Sequence, residues 1–325
     1  MKLYPLKFTP QLVARIWGGQ RLYAIKNAPV ASETVGESWE ISSVKGQESQ
    51  VEYGDYKGVV LSELYKEKGL ELVGARIYNS YPTEFPLLIK LIDACDDLSL
   101  QVHPNDALAQ ELHQSSFGKT EMWYVMEVQE DSRIIAGLSK KTNWDELMHA
   151  IQNKQVEDLL KVYKPQAGDT FFLPAGCIHA IGKGALIAEI QQSSDLTYRL
   201  YDYDRTDSLG NKRDLHLNEA EQAIDFNNLT PCKITRSEGV ESSRPLVTVP
   251  HFSCHEVKVS KNYLCPITEK DSFLIYICTS GSGYVVGESG DSYSINYGET
   301  IFLPASLTSA TIVSDSSMTL LEVFM

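Results

Sequence analysis

Apolar and polar side chains alternate over residues 98–106. Leu98, Leu100 and Val102 fall on one side, Ser99, Gln101 and His103 on the other, and Pro104 ends the run. A period of two predicts a half-buried strand that points a hydroxyl, an amide and an imidazole in one direction. Residues 85–94 read differently. They are almost continuously apolar, which predicts a strand covered on both faces, and Lys90 interrupts them. A lysine in such a strand has to pair, serve a site or reach an edge. Residues 119–128 predict another strand, with Lys119, Glu121, Trp123 and Val125 sharing a face, and 35–42 a further one carrying Trp39. Short helices are predicted at 61–69, stopped by Gly69, and at 106–114. The clearest helical period is at 143–164, through Leu147, Ile151, Val156, Leu159 and Leu160, with Thr142 and Asp145 as a capping box. It reads as an inserted pair of helices.

One stretch occurs twice. AGDTFFLPA at 167–175 returns as YGETIFLPA at 297–305, an offset of 130 residues. In the first copy Gly168 and Asp169 predict a turn, 170–173 a strand, 174–176 a second turn, and His179 the start of a new strand. In the second copy Ser309 stands where the first has His179. The G-x5-P-x-G-x2-H spacing of the first copy resembles the second motif of the cupin superfamily. The expected fold is therefore mainly β: two cupin-type, jelly-roll β-barrels with a helical insertion at about 143–164. The first, 1–235, carries the candidate ligands. The second, 236–325, lacks them, and the linker lies within 226–250.

Composition narrows the function classes. The chain has 325 residues and a net charge of −14, which argues against non-specific binding to nucleic acid or anionic membranes. Its six cysteines are irregularly spaced and form no C-x-x-C pair, so neither a zinc ribbon nor a dense disulfide scaffold is expected. No signal-peptide core follows Met1, and no apolar run approaches a membrane span. A reducing cytoplasm is the expected compartment. The oligomeric state is left open.

Candidate metal ligands collect on the strands: Gln101 and His103 on one, Glu121 on the next, His179 after the second turn. Two imidazoles, a carboxylate and an amide oxygen can hold a divalent cation such as zinc with room for a water or a sugar oxygen. His113, His149, His216, His251 and His255 read as surface or packing residues. Trp17, in a turn, reads equally as core or as a ligand contact.

LSLQVHPND at 98–106, GKTEMWY at 118–124, LPAGCIHA at 173–180 and the stretch from Glu189 to Arg199 stand in the order seen in class I, zinc-dependent mannose-6-phosphate isomerases. RIWGG at 15–19 and GESWEIS at 36–42 resemble the short bacterial branch of that family. The resemblance implies one zinc ion held by Gln101, His103, Glu121 and His179. It implies a catalytic Arg199, a phosphate end at Ser99, Lys90 and Arg205, and polar groups around the sugar at Lys119, Glu189 and Asp195. The implied reaction interconverts mannose 6-phosphate and fructose 6-phosphate through an enediol. Arg199 is a poor base because a guanidinium stays protonated. Lys119, Glu189 or a metal-bound water remain candidates. Thr120 stands where many family members have proline, and the large helical insertion of the longer members is absent.

Two other readings share the ligand list. An iron-dependent oxygenase of the cupin class would use an open coordination face, but the basic set Lys90, Lys119, Arg199 and Arg205 argues for a phosphorylated substrate instead. A non-catalytic sugar-binding protein would bind sugar without metal and without turnover.

Overall fold

The structure is a computed structural model and describes residues 2–206, 209–235, 242–314 and 316–325. Its strands form four large antiparallel sheets and one two-stranded ribbon. A six-stranded sheet runs, in spatial order, Thr170–Leu173, Glu121–Glu127, Leu186–Gln192, Leu87–Asp93, Val35–Ile41, Gln11–Gly19. Facing it is a five-stranded sheet of Tyr198–Tyr201, Leu100–Val102, His179–Ile181, Ile134–Leu138 and Leu160–Tyr163. A rear five-stranded sheet runs Ser243–Val249, Phe252–Val259, Met318–Phe324, Leu274–Ser280, Thr300–Leu303. It faces a four-stranded sheet of Asn262–Leu264, Ala310–Ser314, Ser282–Gly287 and Ser292–Asn296. The two copies of the repeated stretch supply the same part: Thr170–Leu173 and Thr300–Leu303 are both edge strands. The sheets are open. Among the described residues, no strand pairing closes either facing pair into a barrel.

Side-chain alternation sorts the layers. Trp123 and Val125 point into the space between the six-stranded sheet and its partner, with Ile92, Ile187, Ile134 and Ala136. Met122, Tyr124 and Met126, from the same strand, point the other way. There they meet Phe252, Ile275, Ile277, Leu321 and Val323 of the rear sheet in one continuous core. This explains the unbroken apolar run at 85–94: Leu87, Ile89 and Leu91 face the rear sheet, while Ile92 faces forward. Leu100 and Val102 turn outward, onto the helix Trp144–Gln152 and Ala220. Leu98 breaks the expected alternation and joins the forward core instead. Leu6 exchanges backbone hydrogen bonds with Phe302, 2.8 Å each way.

Local expectations shift in three places. The predicted helix pair is one helix, Trp144–Gln152, followed by a 3-10 turn Val156–Leu159 and a strand Leu160–Tyr163. Its cap is Asn143, whose side chain accepts from the Glu146 N–H at 3.0 Å. Thr142 donates to the Glu146 carboxylate at 2.7 Å and caps nothing on the backbone. The helix starting at Leu61 kinks at Lys68, beside the predicted stop at Gly69, and a further helical stretch runs on to Val73, ending at Gly74, whose φ of +87° suits glycine. Gly69 makes room for Tyr78, whose ring lies 2.3 Å from where a Cβ would sit. Of the predicted linker, 236–241 lies outside the described residues.

Candidate active site

Strand register builds two rows of side chains that face each other. In the helix-backed sheet, Arg199 pairs with Gln101, and Gln101 pairs with His179, so these three stand side by side across adjacent strands. In the six-stranded sheet the corresponding row is Trp39, Lys90, Glu189 and Trp123. Partners in a ladder share a face, so each row points into the gap between the sheets. The Trp123 ring meets the His179 ring edge-on, with centroids 5.2 Å apart.

At one end of the gap the predicted ligands converge. The Nε2 atoms of His103 and His179 lie 3.1 Å apart, and the Gln101 amide nitrogen is 3.2 Å from His179 Nε2. Glu121 brings Oε2 to 3.5 Å from His103 and Oε1 to 3.3 Å from His179. His103 Nδ1 sits 2.9 Å from the Leu196 carbonyl and His179 Nδ1 2.9 Å from the Cys177 carbonyl. Each Nδ1–H therefore donates outward, and each Nε2 turns its lone pair inward. All three residues are buried. Burial, reinforced by the Lys119 charge, holds both imidazoles neutral. It pushes His179 down to about 3 and His103 well below its ordinary value. Glu121 Oε1 has no hydrogen-bond donor, and Oε2 has Lys119 Nζ at 3.2 Å. A buried carboxylate with one oxygen lacking a donor, facing two inward lone pairs, is a costly arrangement unless a cation joins it. The set fits a divalent metal of borderline hardness.

Lys119 borders this cluster, with Nζ 3.2 Å from Glu121 and 3.1 Å from His103 Nε2. Burial alone would lower its pKa, but Glu121 and Glu189 outweigh burial and raise it, so Lys119 stays a cation. Glu189 goes up as well. Its burial and the nearby Glu121 carboxylate outweigh Lys90, Lys119 and a 2.8 Å bond from Trp123 Nε1. Lys90 lies 3.5 Å from Glu189, 4.0 Å from Glu37 and 4.8 Å from the centre of the Trp39 ring.

A cavity of about 460 Å³ opens from the cluster. Of the residues predicted from sequence, Lys90, Ser99, Gln101, Lys119, Glu189, Asp195 and Arg199 line it. Arg205 does not. Its guanidinium is bound to the Asp202 carboxylate at 2.6 Å and to the Asp97 carbonyl, and it stacks on Tyr203. Arg213 lines the cavity in its place, gripped by the same Asp202. His216, expected as a packing residue, is also a cavity residue, and its Nδ1 accepts the Arg199 N–H at 3.2 Å. Trp17, Trp39, Arg15 and Glu37 complete the wall. Of these, the tryptophans carried a signal of their own in the sequence, while Arg15 and Glu37 stood only within the family-like stretches RIWGG and GESWEIS. Thr120, at the position where proline is frequent in the similar family, donates its N–H to Gln192 Oε1 at 2.9 Å, a bond that proline lacks the hydrogen to make.

Residues 5–120 match the family described as phosphomannose isomerase type I, catalytic domain. Over 312 residues the chain is 40% identical to the mannose-6-phosphate isomerase of Streptococcus mutans, covering 94% of each protein. The chain belongs to the type I phosphomannose isomerase family. As a member of that family it is an enzyme, an isomerase. Over 314 residues this isomerase is 37% identical to mannose-6-phosphate isomerase ManA of Bacillus subtilis, covering 94% of this chain and 95% of that one. Its fold superposes on the crystal structure of the mannose 6-phosphate isomerase from Bacillus subtilis with a TM-score of 0.88, at 34% identity, over 99% of this chain and all of that one. The isomerase also shares its fold, at 21% identity and a TM-score of 0.79, with a solved structure from Archaeoglobus fulgidus.

Proposed function

We propose that this enzyme interconverts mannose 6-phosphate and fructose 6-phosphate, with one zinc ion held by His103, His179, Glu121 and Gln101. The observation that carries the reading is the buried Glu121 carboxylate, its Oε1 without a donor, facing two inward imidazole lone pairs at the end of a cationic cavity. When bound there, the metal supplies Lewis-acid stabilisation of oxygen charge on the substrate. The chain's own residues do the rest. Glu189 takes the proton from the carbon beside the carbonyl and returns it to the neighbouring carbon, passing through an enediol. A buried carboxyl with a raised pKa suits that exchange near neutral pH. Lys119, held protonated by its carboxylates, and Arg199 stand over oxygen atoms as charge develops. Trp123 and Lys90 fix the Glu189 carboxylate between them. Ser99 and Asp195 offer a hydroxyl and a carboxylate to the sugar.

The repeated strand order supports the cupin relationship of both halves, with 1–235 as the catalytic unit and 236–325 as a buttress without ligands. Register supports the second part. Leu274, opposite Leu303, takes the place that Glu121, opposite Leu173, holds in the first half. All six cysteines are free, which supports a reducing, cytoplasmic setting. No helix among the described residues is long and apolar enough to cross a membrane.

The test is fructose 6-phosphate formation from mannose 6-phosphate by zinc-loaded protein, with chelator-stripped protein as the blank. Turnover that vanishes on stripping and returns with zinc is expected. Glu189→Gln should retain its metal and lose about 10²- to 10⁴-fold in kcat. Folded, metal-loaded protein that leaves mannose 6-phosphate unchanged would sink the substrate assignment.

A further inference from the structure

Positive charge is not spread evenly along the cavity. Lys90 and Lys119 are already balanced, by Glu189 and Glu37 in one case and by Glu121 in the other. The far side differs. Arg199 donates Nη1 to a neutral partner, the Asp214 carbonyl, at 2.8 Å, and its Nε is buried with no partner. Arg213 reaches Asp202 through two bonds, Nε to Oδ2 at 2.8 Å and Nη2 to Oδ1 at 2.5 Å. Asp202 also binds Arg205, so one carboxylate serves two guanidiniums. Arg205 also lies 3.4 Å from Asp96, so the three guanidiniums face two carboxylates and one positive charge, that of Arg199, is left unbalanced. A phosphate monoester carries about −1.5 to −2 at pH 7. Burial and the nearby Arg213 charge both disfavour the charged form of Arg199, which an anion between them relieves.

We propose that Arg213, oriented by Asp202, grips the substrate's phosphate together with Arg199 and sets the preference for a phosphorylated over a plain hexose. The inference deepens the phosphosugar reading above and rests on it. It moves the phosphate away from Arg205, which faces elsewhere, and from Lys90, which is committed to carboxylates. A guanidinium fork held at Nε and one Nη is already set in the plane a phosphate needs, so little freedom is lost when the anion arrives. Asp202 acts only through Arg213 and is a positioning residue.

The experiment has two arms, both on metal-loaded protein. In the first, Arg213→Gln, Arg213→Lys and Arg205→Gln are compared on mannose 6-phosphate and on mannose. Arg213→Gln should raise KM for the phosphosugar about tenfold or more, leave kcat within about threefold, and leave kcat/KM on mannose where it was. Arg213→Lys, which keeps the charge without the fork, should fall between. Asp202→Asn should repeat the KM rise in weaker form with kcat held. In the second arm, inorganic phosphate is titrated calorimetrically, and Arg213→Gln should weaken its binding about tenfold. That arm needs no turnover, so it stands even if mannose 6-phosphate proves not to be the substrate. Unchanged phosphate binding in Arg213→Gln overturns the proposal. So does an equal loss on mannose and mannose 6-phosphate, or a KM rise in Arg205→Gln that Arg213→Gln lacks.

Discussion

Glu121 has no exposed surface, and its Oε1 has no donor. A charge in that state is costly unless a cation joins it, and this separates two roles that a simple alanine variant would merge. Glu121→Gln removes the buried charge but not the shape. Without metal, the variant should melt no lower than the parent. With zinc at about a hundred times its Kd, the parent should gain about 2.7 kcal/mol, a rise of several degrees in Tm, and the variant should gain none. Thermal melts with and without zinc check both halves. Four histidines give the metal-free protein an acid signature. His103, His179, His216 and His255 all have folded pKa values below their unfolded value, His179 about 3 and His255 about 4, with burial the leading cause in each. A depressed histidine stabilises fully above its unfolded pKa, because only the unfolded chain takes up the proton as pH falls. Stability should therefore drop from about pH 6.5 downward. His255→Gln should make that drop shallower between about pH 6.5 and 4, in unfolding curves taken across that range. The residues that sequence exposed at this scale are those in tight motifs: His103 before Pro104, Glu121 after Lys119, His179 after the Gly176 turn. Arg213 and His216 were missed because they lie in an irregular polar segment with no period to read.

At the scale of elements, a capping assignment is easy to test. Asn143→Ala should cost about 1 kcal/mol, since it orphans the Glu146 N–H. Thr142→Ala removes a side-chain bond to a flexible glutamate and should cost less. Denaturant midpoints rank the two, and the reverse order would restore Thr142 as the cap. The capping box misled because Thr, Asn and a following acid all stand within three positions, and sequence does not say which residue leaves helical backbone angles first. Strands were more legible than their partners. The period of two put Glu121 and Trp123 on the site face correctly, while the row that joins Trp39, Lys90, Glu189 and Trp123 depends on register between distant strands. The same row survives in the rear sheet as His255, Glu322 and Tyr276, paired in the same order. Glu322 there accepts from Tyr276 at 2.6 Å, as Glu189 accepts from Trp123. That echo is invisible in the sequence. The nine-residue repeat sits at an offset of 130, whereas Glu189 and Glu322 are 133 apart and Trp123 and Tyr276 are 153 apart, because loops of different length intervene.

At the scale of the molecule, the four sheets stack so that the six-stranded sheet is buried twice, once against the site and once against the rear sheet. A chain ended at residue 235 would uncover Leu87, Ile89, Leu91, Met122 and Tyr124 along one flat face. Such a fragment should bind a hydrophobic dye and self-associate in sedimentation runs, although it keeps every proposed ligand. A monomeric, dye-silent fragment would show that the rear sheet is dispensable. The mainly β character and the duplication were readable from period and repeat. The open sheets and the shared core were not, because nothing local in a strand records which sheet lies behind it.

Leu6 and Phe302 bring one more consequence, in time and not in space. A ribosome adding roughly 5–20 residues per second makes these two partners about 15–60 s apart. Throughout that interval the start of the chain is free of the tube of protein synthesis, and the strand edge it will join does not yet exist. Phe8 can pair with Val51 early, whereas the Leu6 backbone lacks its partner until Phe302 emerges. The bridge between Leu6 and Phe302 therefore forms only after almost three hundred intervening residues have been made.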